Sequence, residues 1–136
     1  MQKQYQRTFR KLIVWQKAKE LTLKVYQLAK KFPSDEKFGL SSQIKRASVS
    51  VMSNIAEGNE RNGVRDKLHF FNISYSSLVE VDSHSELALA LEYITKSDYE
   101  HLIELINKTG FLLCRLSESK KNPNDPNIPS NPNTPN

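Results

Sequence analysis

Apolar residues recur along the chain at alternating spacings of three and four residues, which places them on one face of an α-helix. In the first segment this spacing runs from Val14 to Phe32, and three later segments repeat it. The pattern therefore predicts four helices, at about residues 7–32, 36–57, 64–94 and 97–119.

The residues between these segments indicate where the helices end. Pro33 prevents continuation of the first helix, and Gly58 is suited to a left-handed cap that ends the second. Ser97 is expected to cap the start of the fourth helix. Connections of only a few residues make consecutive helices antiparallel. The sequence thus predicts an all-α fold, an up-down-up-down four-helix bundle formed by residues 1–119.

The second predicted helix carries two polar residues in line with its apolar positions. Asn54 continues the apolar series, and Glu57 follows one turn later. A buried amide or carboxylate is costly unless it is hydrogen-bonded, so we expect both to pair with another helix or with backbone. The small residues Ser48, Ser50 and Ser53 are expected to let a second helix approach closely. This helix is interpreted as the element that specifies the packing.

The third segment is expected to bury one continuous apolar stripe. Its members at helical spacing are Val64, Leu68, Phe71, Tyr75 and Leu78, and an apolar cluster follows at residues 87–91. That cluster is the longest unbroken apolar run of the chain. It is far shorter than the roughly 20 residues needed to cross a bilayer, so no membrane association is predicted.

The chain length, the cysteine count and the first residues limit the classes of protein to which this chain can belong. A chain of 136 residues suffices for one domain with one hydrophobic core. Cys114 is the only cysteine, which excludes an internal disulfide, and it is interpreted as a small apolar residue. Residues 1–7 lack the apolar core of a signal peptide. A cytoplasmic protein is expected.

The C-terminal residues 120–136 differ in composition from the rest of the chain. Proline occurs at every third position from Pro123 to Pro135, with asparagine between. This period matches a polyproline II helix, which a proline-binding partner would recognise. The segment has almost no apolar residues besides proline, however, and cannot offset its own ordering entropy. We predict a disordered tail.

Basic residues are concentrated in the first quarter of the chain. Residues 1–31 contain nine Lys or Arg and one acid, a net charge of +8, which leaves −3 for the rest of a chain whose total is +5. Five of the basic residues recur every seven positions and so lie along one edge of a helix. They are Lys3, Arg10, Lys17, Lys24 and Lys31, and the residues expected to widen this edge are Arg7, Lys11, Lys30, Lys45, Arg46, Arg61 and Arg65.

Two interpretations of this basic edge are equally weighted. Ammonium groups about 10 Å apart along a helix can follow a phosphate backbone without reading bases. Alternatively, lysines that flank a helical seam serve solubility or pair with acids of a neighbouring helix. The third predicted helix supplies such acids.

No set of residues predicts catalysis, a metal site or a cofactor site. Glu80 and His84 have the wrong spacing for the Glu-x-x-His pairs of di-metal bundles, and Asp98 with His101 falls in a solvated first turn. The four glycines are too scattered for a phosphate-binding loop. The sequence predicts a protein that is not an enzyme.

Several residues of the first two helices form a recognisable series. They include Trp15 within a Val-Trp-Gln-Lys-Ala run and the Asn-Ile-Ala-Glu-Gly run that ends at Gly58. Over about residues 9–94 the chain closely resembles the bacterial four helix bundle protein family, also called the rRNA intervening-sequence protein family. The signature positions here are Trp15, Tyr26, Gln43, Asn54, Glu57 and Gly58. The chain departs from the family pattern at Ser74, Ser76, Ser85 and Glu92, the last of which is often glycine in the family.

The resemblance implies an assembly and a class of partner that the periodicity does not. Members of the family form homopentamers, and some are encoded within sequences that interrupt 23S rRNA genes. A related protein is the accessory partner of the reverse transcriptase in diversity-generating retroelements and binds nucleic acid through a basic surface. Two functions follow as expectations. One is binding of RNA or DNA backbone by a homopentamer, as accessory to an rRNA intervening sequence or a reverse transcriptase. The other is a protein-interaction scaffold with no nucleic-acid role.

Overall fold

In the computed structural model, which describes residues 7–124, four α-helices follow one another along the chain. They are α1 (Ile13–Ala29), α2 (Leu40–Glu60), α3 (Val64–Ala90) and α4 (Lys96–Lys121), with short 3₁₀ segments at Thr8–Lys11 and Ser34–Glu36. Each helix packs against the preceding one, and α4 also packs against α1. The predicted all-α four-helix bundle is confirmed. The predicted start of the tail is wrong, because Lys120 and Lys121 still belong to α4, and residues 125–136 of the tail lie outside the described residues.

The predicted first helix is wrong at its start. Leu12 has an extended backbone, with φ −71° and ψ 126°, and separates the 3₁₀ segment from α1. Its side chain is nevertheless buried in the core. The side-chain amide of Gln16 donates to the carbonyl of Arg10 at 2.9 Å, so this carbonyl is satisfied without a continuous helix. Residues 7–11 therefore do not share a helix with the lysines that follow.

The core is formed largely by the apolar positions that the periodicity selects. The predicted seams of α1, α2 and α4 are buried, including Val14, Leu21, Val51, Ile55, Leu102 and Leu116. The prediction for the third segment is wrong at four positions, because Val64, Tyr75, Leu87 and Leu91 are exposed. The buried face of α3 instead includes Ser74, Ser77 and Ser85.

Small and polar residues let α2 and α3 pack closely. The hydroxyls of Ser50 and Ser77 lie 2.7 Å apart, and the Ser74 hydroxyl donates to the carbonyl of Val51 at 2.7 Å. This confirms the prediction that small residues of α2 admit a neighbouring helix. Gly58 contributes to the same contact rather than ending α2. It is buried, the helix continues to Glu60, and no described glycine has a positive φ.

The connection between α3 and α4 uses defined caps at both helix ends. The N–H of Tyr93 donates to the carbonyl of Ala88, and the N–H of Glu92 donates to the carbonyl of Leu89. These two bonds form a Schellman motif, and Glu92 has the left-handed φ of 61° that the motif requires. The predicted cap at Ser97 is wrong: Thr95 caps α4 through a reciprocal capping box with Asp98.

Candidate nucleic-acid interface

Three predicted basic residues, Lys17, Lys24 and Lys31, lie along the side of α1 that faces α4, and we call them the α1 lysine row. Lys24 lines a groove together with His101 and Leu105 of α4. Lys31, in the turn after α1, pairs with Asp98 at the start of α4 at 3.3 Å. The row thus follows the groove between two antiparallel helices.

Two of the three lysines already have a carboxylate partner. The Lys17 ammonium lies 3.1 Å from Glu20 on the same helix, and Lys31 is held by Asp98. Burial acts to raise the pKa of Asp98, but hydrogen bonds from the Thr95 N–H and from Lys31 outweigh it and lower this pKa below its ordinary value. The Asp98–Lys31 pair is therefore ionised at neutral pH.

A second basic row lies on α4 and was missed by the sequence reasoning. His101, Lys108 and Arg115 are spaced by seven residues, so they share one face of α4, and His101 places that face in the groove with Lys24. We call them the α4 basic row. The same seven-residue spacing that identified the α1 lysine row is the signal that would have found it.

Of the other predicted basic residues, Lys3 lies outside the described residues, and Arg7, Arg10 and Arg61 do not extend the α1 lysine row. Arg7 and Arg10 belong to the segment before Leu12, and Thr8 of that segment accepts a hydrogen bond from Asn59 near the end of α2, at 3.0 Å. Arg61 lies at the end of α2 as well. These three residues are therefore at one end of the bundle, which separates them from the groove.

Lys45 and Arg46 face two further surfaces. The Lys45 ammonium lies 5.2 Å from the centre of the Tyr26 ring, on the side of α1 that packs against α2. Arg46 lines a polar cleft between α2 and α3 with Gln43 and Glu80. The predicted continuous basic edge is thus divided among the groove, the bundle end and the faces of α2.

The signature residue Asn54 pairs with backbone, one of the two kinds of partner predicted for it. Its side-chain amide donates to the carbonyl and the hydroxyl of Ser50, at 2.8 and 3.0 Å, within α2. It reaches α3 only through the Ser50–Ser77 contact. Glu57 is not buried: it is exposed and pairs with Arg61 at 2.8 Å. A carboxylate one helical turn from an arginine at the helix end is satisfied there and does not enter the core.

The other signature residues have packing positions. Trp15 is partly buried and packs edge-on against Phe9, with ring centres 5.0 Å apart. Tyr26 and Gln43 are exposed, and Gly58 is buried. Trp15 and Gly58 therefore contribute to packing, while Tyr26 and Gln43 lie on the surface.

An apolar groove runs between α3 and α4 on another face. Tyr75, Val79 and Phe111 line it and are 45%, 54% and 58% exposed. Cys114, interpreted as a small apolar residue, also lines this groove and is exposed. Three large exposed apolar side chains in one groove are typical of an interaction surface.

Within residues 7–124, no three His, Cys, Asp or Glu side chains come close enough together to hold a metal ion. None of the helices in that range is long and apolar enough to cross a membrane.

The chain is similar to proteins of one family. The family model described as 23S rRNA-intervening sequence protein matches residues 10–115. A solved structure from Bacteroides thetaiotaomicron, described as a protein with unknown function from the S23 ribosomal protein family, is 26% identical, with a TM-score of 0.72. The match covers 78% of this chain and 99% of that one. No curated protein matches. Because the family model covers most of the bundle, the chain belongs to the 23S rRNA-intervening sequence protein family.

Proposed function

We propose that this chain is a non-enzymatic, self-associating bundle that binds the sugar-phosphate backbone of nucleic acid in the groove between α1 and α4. The observation that carries the proposal is the pair of basic rows on the two helices. The α1 lysine row and the α4 basic row approach each other where Lys24 and His101 line one groove. Seven residues of helix rise about 10 Å, so Lys17, Lys24 and Lys31 on one side, and Lys108 and Arg115 on the other, offer cations at roughly that interval.

The carboxylates in the groove do not prevent this binding. Exposed ion pairs such as Lys17–Glu20 contribute at most about 1 kcal/mol, so a phosphate can replace the carboxylate at small cost. Lys24 forms no ion pair among the described residues. Lysine–phosphate contacts depend on charge and not on the identity of the bases, so the binding is salt-dependent and weakly specific.

The self-association belongs to a different face of the bundle. The apolar groove between α3 and α4, with Tyr75, Val79 and Phe111, supports contacts with a further copy and leaves the α1–α4 groove open. We propose the homopentamer that the family resemblance implies. Five copies of a weak phosphate contact on one particle bind a long polyanion more tightly than one copy does.

RNA is the first partner to test, because the family description names a 23S rRNA intervening sequence. A reverse transcriptase is the protein partner that the resemblance adds. A second candidate function is a protein-interaction scaffold without nucleic acid. The Lys31–Asp98 pair and the exposed apolar groove favour it, since both suit protein contacts.

The test compares nucleic-acid affinity between two charge variants. The first is Lys17→Gln with Lys24→Gln and Lys31→Gln, which neutralises the α1 lysine row. The matched control is Lys19→Gln with Lys30→Gln and Lys37→Gln, which removes the same charge from exposed lysines elsewhere. Labelled RNA duplex and single strand are titrated, and light scattering gives the assembly mass.

We expect the row variant to lose at least about tenfold in affinity and the control to lose much less, because each phosphate contact adds to the salt-dependent free energy. Equal losses of affinity in the two variants would show that only net charge matters and would contradict binding in the α1–α4 groove. Absence of binding by the assembled wild-type protein at low salt would leave the scaffold as the function.

A further inference from the structure

Positive charge is concentrated at one end of the bundle. This basic end comprises residues 7–11, 57–67 and 115–121, where the first segment, the end of α2, the start of α3 and the end of α4 meet. Its nine cationic residues are Arg7, Arg10, Lys11, Arg61, Arg65, Lys67, Arg115, Lys120 and Lys121, against the four acids Glu57, Glu60, Asp66 and Glu118. The opposite end, residues 29–40 and 86–98, has four cations and five acids. The net charges are therefore +5 and −1.

Contacts between the segments hold these charges together. Asn59 donates to Thr8, and the Lys67 ammonium donates to the carbonyl of Asn59 at 2.8 Å. Burial, and secondarily the charge of Lys120, lower the pKa of Lys67. Lys120 of α4 thus lies near enough to repel Lys67 of α3. Two of the four acids are engaged in pairs, Glu57 with Arg61 and Glu118 with Arg115. An anion from outside the chain would relieve the remaining repulsion.

Two arginines of the basic end lie against aromatic rings. The guanidinium carbons of Arg10 and Arg61 are each 4.6 Å from a ring centre, that of Phe9 and that of Phe70 respectively. Both arginines are exposed, while both rings are partly buried. A guanidinium supported on one face by a ring presents its other face to solvent. Unpaired bases stack on such guanidinium planes, whereas the bases of a duplex are already stacked on each other.

We propose that the basic end is a binding site for single-stranded nucleic acid, in which Arg10 and Arg61 stack on unpaired bases and Lys120 and Lys121 contact phosphates. This inference rests on the proposed function and refines it, because the α1–α4 groove requires only a backbone and the basic end requires unpaired bases. An acidic peptide would satisfy the charge of the basic end and would leave the two arginine–aromatic stacks unused.

The experiment measures affinity for three probes by fluorescence anisotropy at one low salt concentration. The probes are a mixed-sequence single strand of about 12 nucleotides, within the usual site size, the blunt duplex of the same sequence, and a polyglutamate peptide of equal charge. Arg10→Lys with Arg61→Lys keeps the charge and removes the planar guanidinium groups. Lys120→Gln with Lys121→Gln removes phosphate contacts, and the α1 lysine row variant is measured alongside. Circular dichroism checks that each variant is folded.

We expect the arginine variant to bind the single strand at least about tenfold more weakly, because the stacking contacts are lost. Its affinity for the duplex should not change. The Lys120/Lys121 variant should weaken binding of the single strand as well. An unchanged single-strand affinity in the arginine variant would overturn the proposal, and so would equal wild-type affinity for polyglutamate. If only the α1 lysine row variant loses binding, the basic end is refuted while the proposed function stands. If the wild-type protein binds neither the single strand nor the duplex, both the proposed function and the basic-end proposal are refuted.

Discussion

Gly58 is the position where one added methyl group is expected to disturb the contact between α2 and α3. A Cβ atom built at Gly58 would lie 2.7 Å from Cε1 of Phe71 and 3.1 Å from the carbonyl oxygen of Lys67. Phe71 is only 1% exposed and belongs to the hydrophobic core. The Lys67 oxygen belongs to the backbone of α3. Gly58→Ala therefore requires the two helices to separate by several tenths of an ångström.

Two opposing contributions set the size of the effect. Overpacking a buried contact costs about 1–3 kcal/mol, and the rigid neighbours place this site in the upper part of that range. Alanine is favoured over glycine inside a helix by about 1 kcal/mol. We expect the free energy of unfolding to fall by about 1–2 kcal/mol, which lowers Tm by roughly 3–8 °C.

Urea unfolding followed by circular dichroism measures this change at a fixed protein concentration, since self-association would add to apparent stability. Gly110→Ala in α4 is the matched control. Its Cβ would meet only the flexible Cδ2 of Leu78, at 3.3 Å, so the helix-forming advantage of alanine should leave stability equal or higher. A Gly58→Ala variant as stable as the wild type would refute the close contact between Gly58 and Phe71.

Three further predictions concern single residues. Glu92→Gly should stabilise the bundle by about 1 kcal/mol, because it relieves a left-handed φ of 61°; a loss of stability in urea would contradict the strain. Phe38→Ser should change stability by less than about 0.5 kcal/mol, because this ring is 90% exposed, and a larger loss at fixed concentration would reveal a covered ring. The hydrogen bond to Glu86, with smaller effects of burial and nearby carboxylates, raises the pKa of Tyr99 from 10.0 to about 12. The stabilisation from this bond is complete below pH 10 and is lost as pH rises through about 12. The hydrogen bond to Glu36 also raises the pKa of Tyr93, so phenolate absorbance should show late titration of which Glu86→Gln shifts back only the Tyr99 component; an unchanged titration would contradict the assignment.

The fold could be predicted wherever burial follows apolar spacing. On α1, α2 and α4 the periodic apolar residues are the buried ones, because each of these helices buries one stripe of large side chains. On α3 the close approach of α2 at positions 74 and 77 leaves room there only for small residues, so Ser74 and Ser77 are buried while Tyr75 is exposed. Hydrophobicity alone ranks serine as a surface residue. The burial of serine and the exposure of tyrosine on α3 can be predicted only when the partner helix is known.

Local backbone breaks were predictable in part. Pro33 ends the first helical region as expected, whereas the extended Leu12 has no sequence signal, since no proline or glycine precedes α1. At Gly58 the sequence predicts a helix end that the structure lacks. A glycine near a helix end indicates a cap, whereas this glycine lies within α2 and leaves space for Phe71.

The candidate sites, too, could be predicted from the sequence only in part. The seven-residue spacing of Lys17, Lys24 and Lys31 correctly indicates one side of α1, and the same rule applies to Lys108 and Arg115 on α4. The basic end combines segments more than a hundred residues apart in the chain. Only the first of these segments is strongly basic by itself, and the net charge of +5 emerges when antiparallel packing brings the segments to one end.

The central claim is that basic side chains of this bundle bind nucleic-acid phosphates, and the salt dependence of RNA affinity tests it most directly. Labelled single-stranded RNA is titrated over a series of salt concentrations, with light scattering on the same samples. With three or more phosphate contacts, log K should fall linearly with log salt at a slope of about −2 or steeper. Neutralising the α1 lysine row should flatten that slope in a still-assembled protein. Absence of binding at low salt, or an affinity that does not change with salt, would contradict the account.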